Sequence, residues 1–404
     1  MPGVPAWLWA LAAAAFVFFT DDYVIAGVLP EIAGEFAVTE AVAGQLITVF
    51  ALTVAVAAPV AAVVTASWPR RLLLLAACAV FVAANVAAAL TGSFAVLMGL
   101  RVLAALAAAA ATPALFAVTA ALAPESRRGR YLAVVSIGVT GSIAAGVPVG
   151  TWIGGEFGWR ATFAAVAVAG VLAGFAILAT VPATPSGSAP GLGEQLAVLA
   201  RRPITLGLLA NATTLAGSML LLSYLAPFVR ELSGTGPDGR ALLFAVSGVA
   251  GMLGVWWGGL AVDRVGPDRS LLIGVGGLVA ALGVLAGLWF VRPVPFWLVV
   301  PVTAVWAGFA FWNSPAIQAR LLGLAGPVGG QALALNTTAT YLGVSLAGAL
   351  GGLVLGGVGT GGLAPAAAVL VAASWVVFRL AAVDARTSRS PDRSPGGSQQ
   401  SRMI

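Results

Sequence analysis

Twelve apolar stretches, each long enough to cross a bilayer, run along this chain with arginines gathered on alternate connections. A hydrocarbon core about 30 Å thick needs about 20 apolar residues of helix. The stretches fall at residues 7–28, 42–66, 70–92, 94–122, 130–155, 161–181, 204–228, 240–262, 270–291, 295–316, 328–358 and 361–378. A soluble fold has no reason to sort its arginines, whereas sorting orients a polytopic membrane protein. If both termini share one side, fifteen of the 20 basic residues lie there, Arg70, Arg71, Arg128, Arg264 and Arg320 among them. Arg160, Arg230, Arg240 and Arg292 lie opposite, and Arg101 sits within a span. The arginine-rich side is therefore expected to be cytoplasmic, with both termini on it and the protein in the inner (plasma) membrane of the cell.

Composition narrows the function. With 60% hydrophobic and 8% charged residues, the 404-residue chain cannot clothe a soluble surface. The net charge of +6 follows from arginine sorting, and no basic surface interleaved with aromatics suggests nucleic acid as a partner. Histidine is absent and Cys78 stands alone in an apolar span, so neither a histidine metal site nor an internal disulfide is expected. All the basic residues are arginine and no GxxxxGK[ST] loop occurs, which argues against nucleotide-driven work. Without a Ser/His pair or paired catalytic carboxylates, the chain reads as no enzyme and needs no cofactor.

The chain divides near its middle. Residues 182–203 are rich in Pro, Gly and Ser and end on Arg201 and Arg202, which reads as a linker between six-span halves at 1–181 and 204–385; a polar tail follows at 386–404. One offset of 197 residues lays Gly146–Gly155 over Gly343–Gly352 and Ala61–Arg71 over Gly258–Asp268. Two matches at one offset suggest parallel repeats, a transporter architecture.

Polar residues in apolar surroundings mark candidate sites. Asp21 and Asp22 lie in span one, where an ionised carboxylate in lipid is costly. Neighbours on a helix point about 100° apart, so one is expected to face a central cavity as a proton carrier and the other to lie nearer the interface. Arg101 in span four stays charged and requires a cavity or a partner; Asp22 is within reach between spans one and four. Gly259, Asp263, Arg264 and Gly266 between spans eight and nine, with Arg70 and Arg71 in the equivalent first-half loop, suit a breakable latch. Gly146, Pro148, Gly150 and Gly154 in span five suit a kinked, close-packed seam across the boundary between halves. Tyr23, Asn211, Tyr224, Asn313, Asn336 and Tyr341 offer polar groups to a substrate.

These segments together resemble the major facilitator superfamily, in particular its twelve-span drug:proton antiporters of the chloramphenicol and sugar or nucleoside efflux branches. Thr20–Pro30 resembles the TxEFVIxGLLP pattern, with Asp22 at the glutamate place and Tyr23 at the phenylalanine place. Gly259, Asp263, Arg264 and Gly266 match the cytoplasmic loop motif, Arg101 the span-four arginine, and Gly146–Phe163 the antiporter span-five motif. Departures are Ala66 at the acidic place of the first loop and Val147 before Pro148. The resemblance implies an all-α integral membrane protein of the major facilitator fold that exports small molecules, drugs or antibiotics above all, in exchange for protons. It implies a lipid-embedded protein that works as a monomer. Sugar or nucleoside export is the runner-up; an uptake symporter and a non-transporting receptor or scaffold follow.

The topology has a direct check. In a Cys78→Ser background, a single cysteine introduced in the linker or the tail should stay unlabelled when an impermeant reagent is added outside intact cells; labelling would reverse the orientation.

Overall fold

The computed structural model describes residues 5–183, 191–325 and 328–387. Part of the expected linker, and the expected tail after 387, lie outside the described residues. Twelve of the described helices are long and apolar enough to cross a membrane. They are α1 (Ala6–Glu35), α2 (Glu40–Val64), α3 (Arg70–Leu90), α4 (Phe94–Leu122), α5 (Arg128–Phe157), α6 (Trp159–Thr180), α7 (Arg202–Ser223), α8 (Pro237–Val265), α9 (Pro267–Val291), α10 (Phe296–Ala325), α11 (Gln331–Gly357) and α12 (Thr360–Arg379). No strand occurs among the described residues. Helix is the form that satisfies every backbone donor within its own segment, as lipid demands. At 1.5 Å per residue the 30-residue α1 is about 45 Å long, more than the hydrocarbon core requires. Its end at Glu31 and Glu35 therefore projects toward the polar interface, about one to two turns beyond residue 28, where the apolar run ends.

Two connections shrink to one residue. Gly158 joins α5 to α6 at φ 84°, and Gly266 joins α8 to α9 at φ 81°. A side chain is strained in that region, so glycine is what makes so tight a reversal possible.

The halves α1–α6 and α7–α12 meet in a symmetric way. Across the boundary α2 packs on α11 and α5 on α8, so the second helix of each half meets the fifth of the other. That is the reciprocity a two-fold relation along the membrane normal produces. A short helix after α7, Leu225–Ser233, also reaches α1.

The α5 glycines act elsewhere than expected. Side chains added at Gly146, Gly150 and Gly154 would overlap Thr20, Val24 and Val28, so the four-residue ladder seats α1 within its own half. The boundary is built by neighbours: Gly155 lies against Pro237, and Gly248 against the backbone at Ala144. Helix periodicity explains the difference, since a glycine stripe fills one face of α5 and α1 already occupies it. Pro148 lacks the N–H that would bond Ala144, and one π turn over Ser142–Gly146 absorbs the mismatch just before it.

Gly154→Leu should push α1 from α5 and destabilise the detergent-solubilised protein by about 1–3 kcal/mol, read as a lower melting temperature. Gly259 faces open space, and Gly259→Leu should stay within about 0.5 kcal/mol of the parent.

Candidate functional site

Asp21 and Asp22 leave α1 in different directions and meet different halves of the molecule. Asp21 is fully buried toward α4, where Arg101 Nη1 donates to its Oδ2 at 2.8 Å and Nη2 to its carbonyl at 3.0 Å. The guanidinium lies 4.2 Å from the ring centre of Phe50 and 6.0 Å from that of Phe163, so aromatic faces cover what the carboxylate does not. Arg101 is 1% exposed. In sequence Asp22 lies within reach of Arg101 and one aspartate is expected nearer the interface; both aspartates are buried, and Asp21 takes the arginine. One residue of helix, about 100°, decides this.

Asp22 turns to the other half. Its Oδ2 accepts a hydrogen bond from the Tyr341 hydroxyl on α11 at 3.0 Å. Tyr23, half-buried, packs beside it against the core. A carboxylate 5% exposed and a phenol 7% exposed therefore span the boundary between halves, inside the helix bundle.

The face opposite the arginine-rich one is closed by ion pairs. Arg240, at the start of α8, pairs with Glu31 of α1 and reaches the Gly27 carbonyl at 3.5 Å. Arg230 pairs with Glu40 at 2.8 Å. Both pairs join the halves. Within the first half, Glu35 pairs with Arg160 and accepts from Trp159 Nε1 at 2.6 Å. Tyr224 adds to this closure: its ring fills the space beside Gly44 and Gly351, and its hydroxyl donates to the Gly348 carbonyl at 2.7 Å. Sequence reasoning used Arg160, Arg230 and Arg240 for topology alone and assigned no role to Glu31 or Glu40. A legible signal existed, because an arginine on the face that excludes positive charge needs a reason, and an acid partner supplies one.

Toward the arginine-rich face the halves part. Packing of α8 on α5 is broad over Val147–Phe157, narrower at Ser142–Gly146 and slight over Arg128–Gly141. Asp263 and Arg264 are exposed and make no ion pair among the described residues. Arg70 Nη1 donates to the Thr65 carbonyl at 3.4 Å, and Arg71 donates to the Leu178 carbonyl, each inside the first half. The latch residues are present but not joined. Close helix approach in this region falls at Gly254 and Gly258, which lie on the α10 backbone, while Gly259 meets nothing.

The remaining polar candidates separate into two groups. Asn211 Nδ2 donates to Asn336 Oδ1 at 2.9 Å and Thr340 Oγ1 at 3.1 Å, linking α7 to α11. Asn336 is half-buried and the adjacent Thr337 is exposed. Asn313 donates to its own helix at the Phe309 carbonyl at 3.3 Å and lies against Gly274, and Tyr224 belongs to the closure. These two serve packing in this structure.

Residues 11–348 match the Major Facilitator Superfamily. The chain belongs to this superfamily. As a major facilitator transporter it is 35% identical to the chloramphenicol resistance protein of Streptomyces lividans over 65% of this chain and 68% of that protein. It is 28% identical to the probable sugar efflux transporter of Mannheimia succiniciproducens over 92% of each chain. Its fold is that of the D-xylose–proton symporter, with TM-score 0.75 at 16% identity over 93% of this chain and 97% of that one.

The two aspartates should respond differently to substitution. Asp21→Asn leaves a buried guanidinium without its counter-charge and should cost about 3–5 kcal/mol, whereas Asp21→Leu with Arg101→Met should recover most of that loss. Asp22→Asn retains an acceptor for Tyr341 and should cost about 1 kcal/mol or less. Thermal unfolding in detergent reads all three; equal losses for Asp21→Asn and Asp22→Asn would contradict the division of roles.

Proposed function

We propose that this transporter exports small, moderately apolar compounds in exchange for inward-moving protons, by alternating access between the two halves. The observation that carries the reading is the Asp22–Tyr341 bond, a buried carboxylate held by a hydroxyl of the opposite half. Any rocking that opens the closed face and joins the parted one must break or remake that bond, so the carboxylate's surroundings change with the state of the protein. Protonation in one state and release in the other is proton coupling. Asp21, fixed to Arg101, acts as the positioning residue.

In this reading the arginine-rich face is cytoplasmic and the arrangement is inward-open. The Glu31–Arg240 and Glu40–Arg230 pairs part as the outer face opens, while Asp263 and Arg264 engage the first half, near Arg70 and Arg71, as the inner face closes. A single chain suffices for this motion. Each proton entering across 100 mV supplies about 2.3 kcal/mol, enough for a gradient of about fifty-fold. Substrate occupies the space bordered by Tyr23, Asn336 and Tyr341, where apolar walls and a few hydrogen-bonding groups bind by area more than by exact pattern. The Streptomyces relative supports an antibiotic of the chloramphenicol type. The Mannheimia relative supports sugar export as the second reading.

Expression in an efflux-deficient host should raise resistance to chloramphenicol or several unrelated drugs, and Asp22→Asn should abolish it at unchanged membrane levels. Proteoliposomes with an imposed pH gradient should lose uphill transport with Asp22→Asn while keeping slow downhill exchange. Full uphill transport by Asp22→Asn would remove it from the proton path. Loss of an intracellular sugar or nucleoside without drug resistance would favour the second reading.

A further inference from the structure

At the arginine-rich end of the second half, α9, α10 and α12 enclose a pocket of 420 Å³ with no part in the central site. Its innermost cation is Arg320, 9% exposed. Arg320 Nε pairs with Asp268 at 3.0 Å, and Nη2 donates to the Phe378 carbonyl at 3.2 Å. Nη1 is buried with no partner among the described residues. A buried charged donor left unpaired is costly, so a ligand that completes it is favoured. Arg269 and Arg379 line the same pocket, the latter 5.1 Å from the ring centre of Trp375. Three guanidinium groups thus face one carboxylate, which is already ion-paired.

The pocket is also amphipathic. Leu272 and Trp375 line it and remain 42% and 39% exposed on helices that stand in lipid. A ligand here meets cations at the membrane surface and apolar side chains just below. Inorganic phosphate satisfies only the first of these, and a neutral apolar compound only the second. A phosphodiester matches the planar fork of arginine, and basic pockets between spans at this depth suit lipid headgroups.

We infer that this pocket binds the phosphodiester of an anionic phospholipid, of the phosphatidylglycerol class, with Arg320 Nη1, Arg269 and Arg379 on the phosphate and an acyl chain along Leu272 and Trp375. The site is independent of what the transporter carries. Its place beside the Gly266 turn gives the lipid a hold on the end of α8, which carries Asp263 and Arg264.

The test uses the full-length protein in detergent, with binding read by native mass spectrometry and by melting temperature. Phosphatidylglycerol should bind and raise the melting temperature; phosphatidylethanolamine, phosphatidylcholine and soluble glycerol phosphate should do neither at the same concentration. Arg269→Gln with Arg379→Gln leaves the Arg320–Asp268 pair intact and should weaken phosphatidylglycerol binding about thirty-fold. Arg379→Gln alone, the milder change if the double variant does not fold, should weaken it about five-fold. Arg292→Gln, at the opposite face, should leave it unchanged. Wild-type affinity in the Arg379 variants, or equal binding of the zwitterionic lipids, would overturn the assignment. An equal effect of glycerol phosphate would reduce the site to one for soluble phosphate and overturn the lipid.

Discussion

A guanidinium buried among apolar membrane-length helices cannot shed its charge, and the pairing of Arg101 with Asp21 is the constraint on which the rest of this molecule depends. The pair ties α4 to α1, while Phe50 from α2 and Phe163 from α6 close over it. Four of the six helices in the first half are therefore organised around one cation. Because α1 is held in rotation by this pair, and in depth by the ladder of Gly146, Gly150 and Gly154, the next carboxylate has a single direction left. Asp22 is turned outward to the second half and meets Tyr341.

The strengths of the ion pairs differ by location. The one inside the first half is dry, and removing either partner would strand a charge. Of those joining the halves, Arg230–Glu40 is 46% and 18% exposed, where water and salt weaken it, whereas Arg240 of the Arg240–Glu31 pair is buried. The pair inside the first half is thus drier than the Arg230–Glu40 contact between halves. That difference is what rocking of two bodies about a central site requires, and the reciprocal packing of α2 on α11 and α5 on α8 supplies the contact surfaces. Glycine works on both levels: its ladder in α5 locks α1 inside a half, whereas Gly155 and Gly248 bring the halves themselves into contact.

The candidate site was legible in part. Asp21, Asp22 and Arg101 stand out in sequence because charge in an apolar span is expensive, and all three are buried together. Their pairing was not legible, since adjacent residues share every compositional signal and differ only in azimuth. Glu31 and Glu40 escaped notice because acids at helix ends look like ordinary interfacial charge until an arginine from the other half is seen beside them. Tyr224 and Asn313 drew attention as polar groups in apolar runs, yet their hydroxyl and amide are used by neighbouring backbone. A hydrogen bond to backbone and a hydrogen bond to substrate require the same side chain, so composition does not separate them.

Hydropathy determined the number of spans and most of their limits, because these follow from bilayer thickness and from the cost of charge in hydrocarbon, both properties of local sequence. The fold family was also legible, carried by short motifs around Asp22, Arg101, Pro148 and Asp263. Tertiary structure alone decided which carboxylate takes the arginine, which helix the α5 glycines accept, and which face is closed. Each of those depends on the rotation of one helix about its axis relative to another distant in sequence, and a linear chain fixes such angles only when the helices pack.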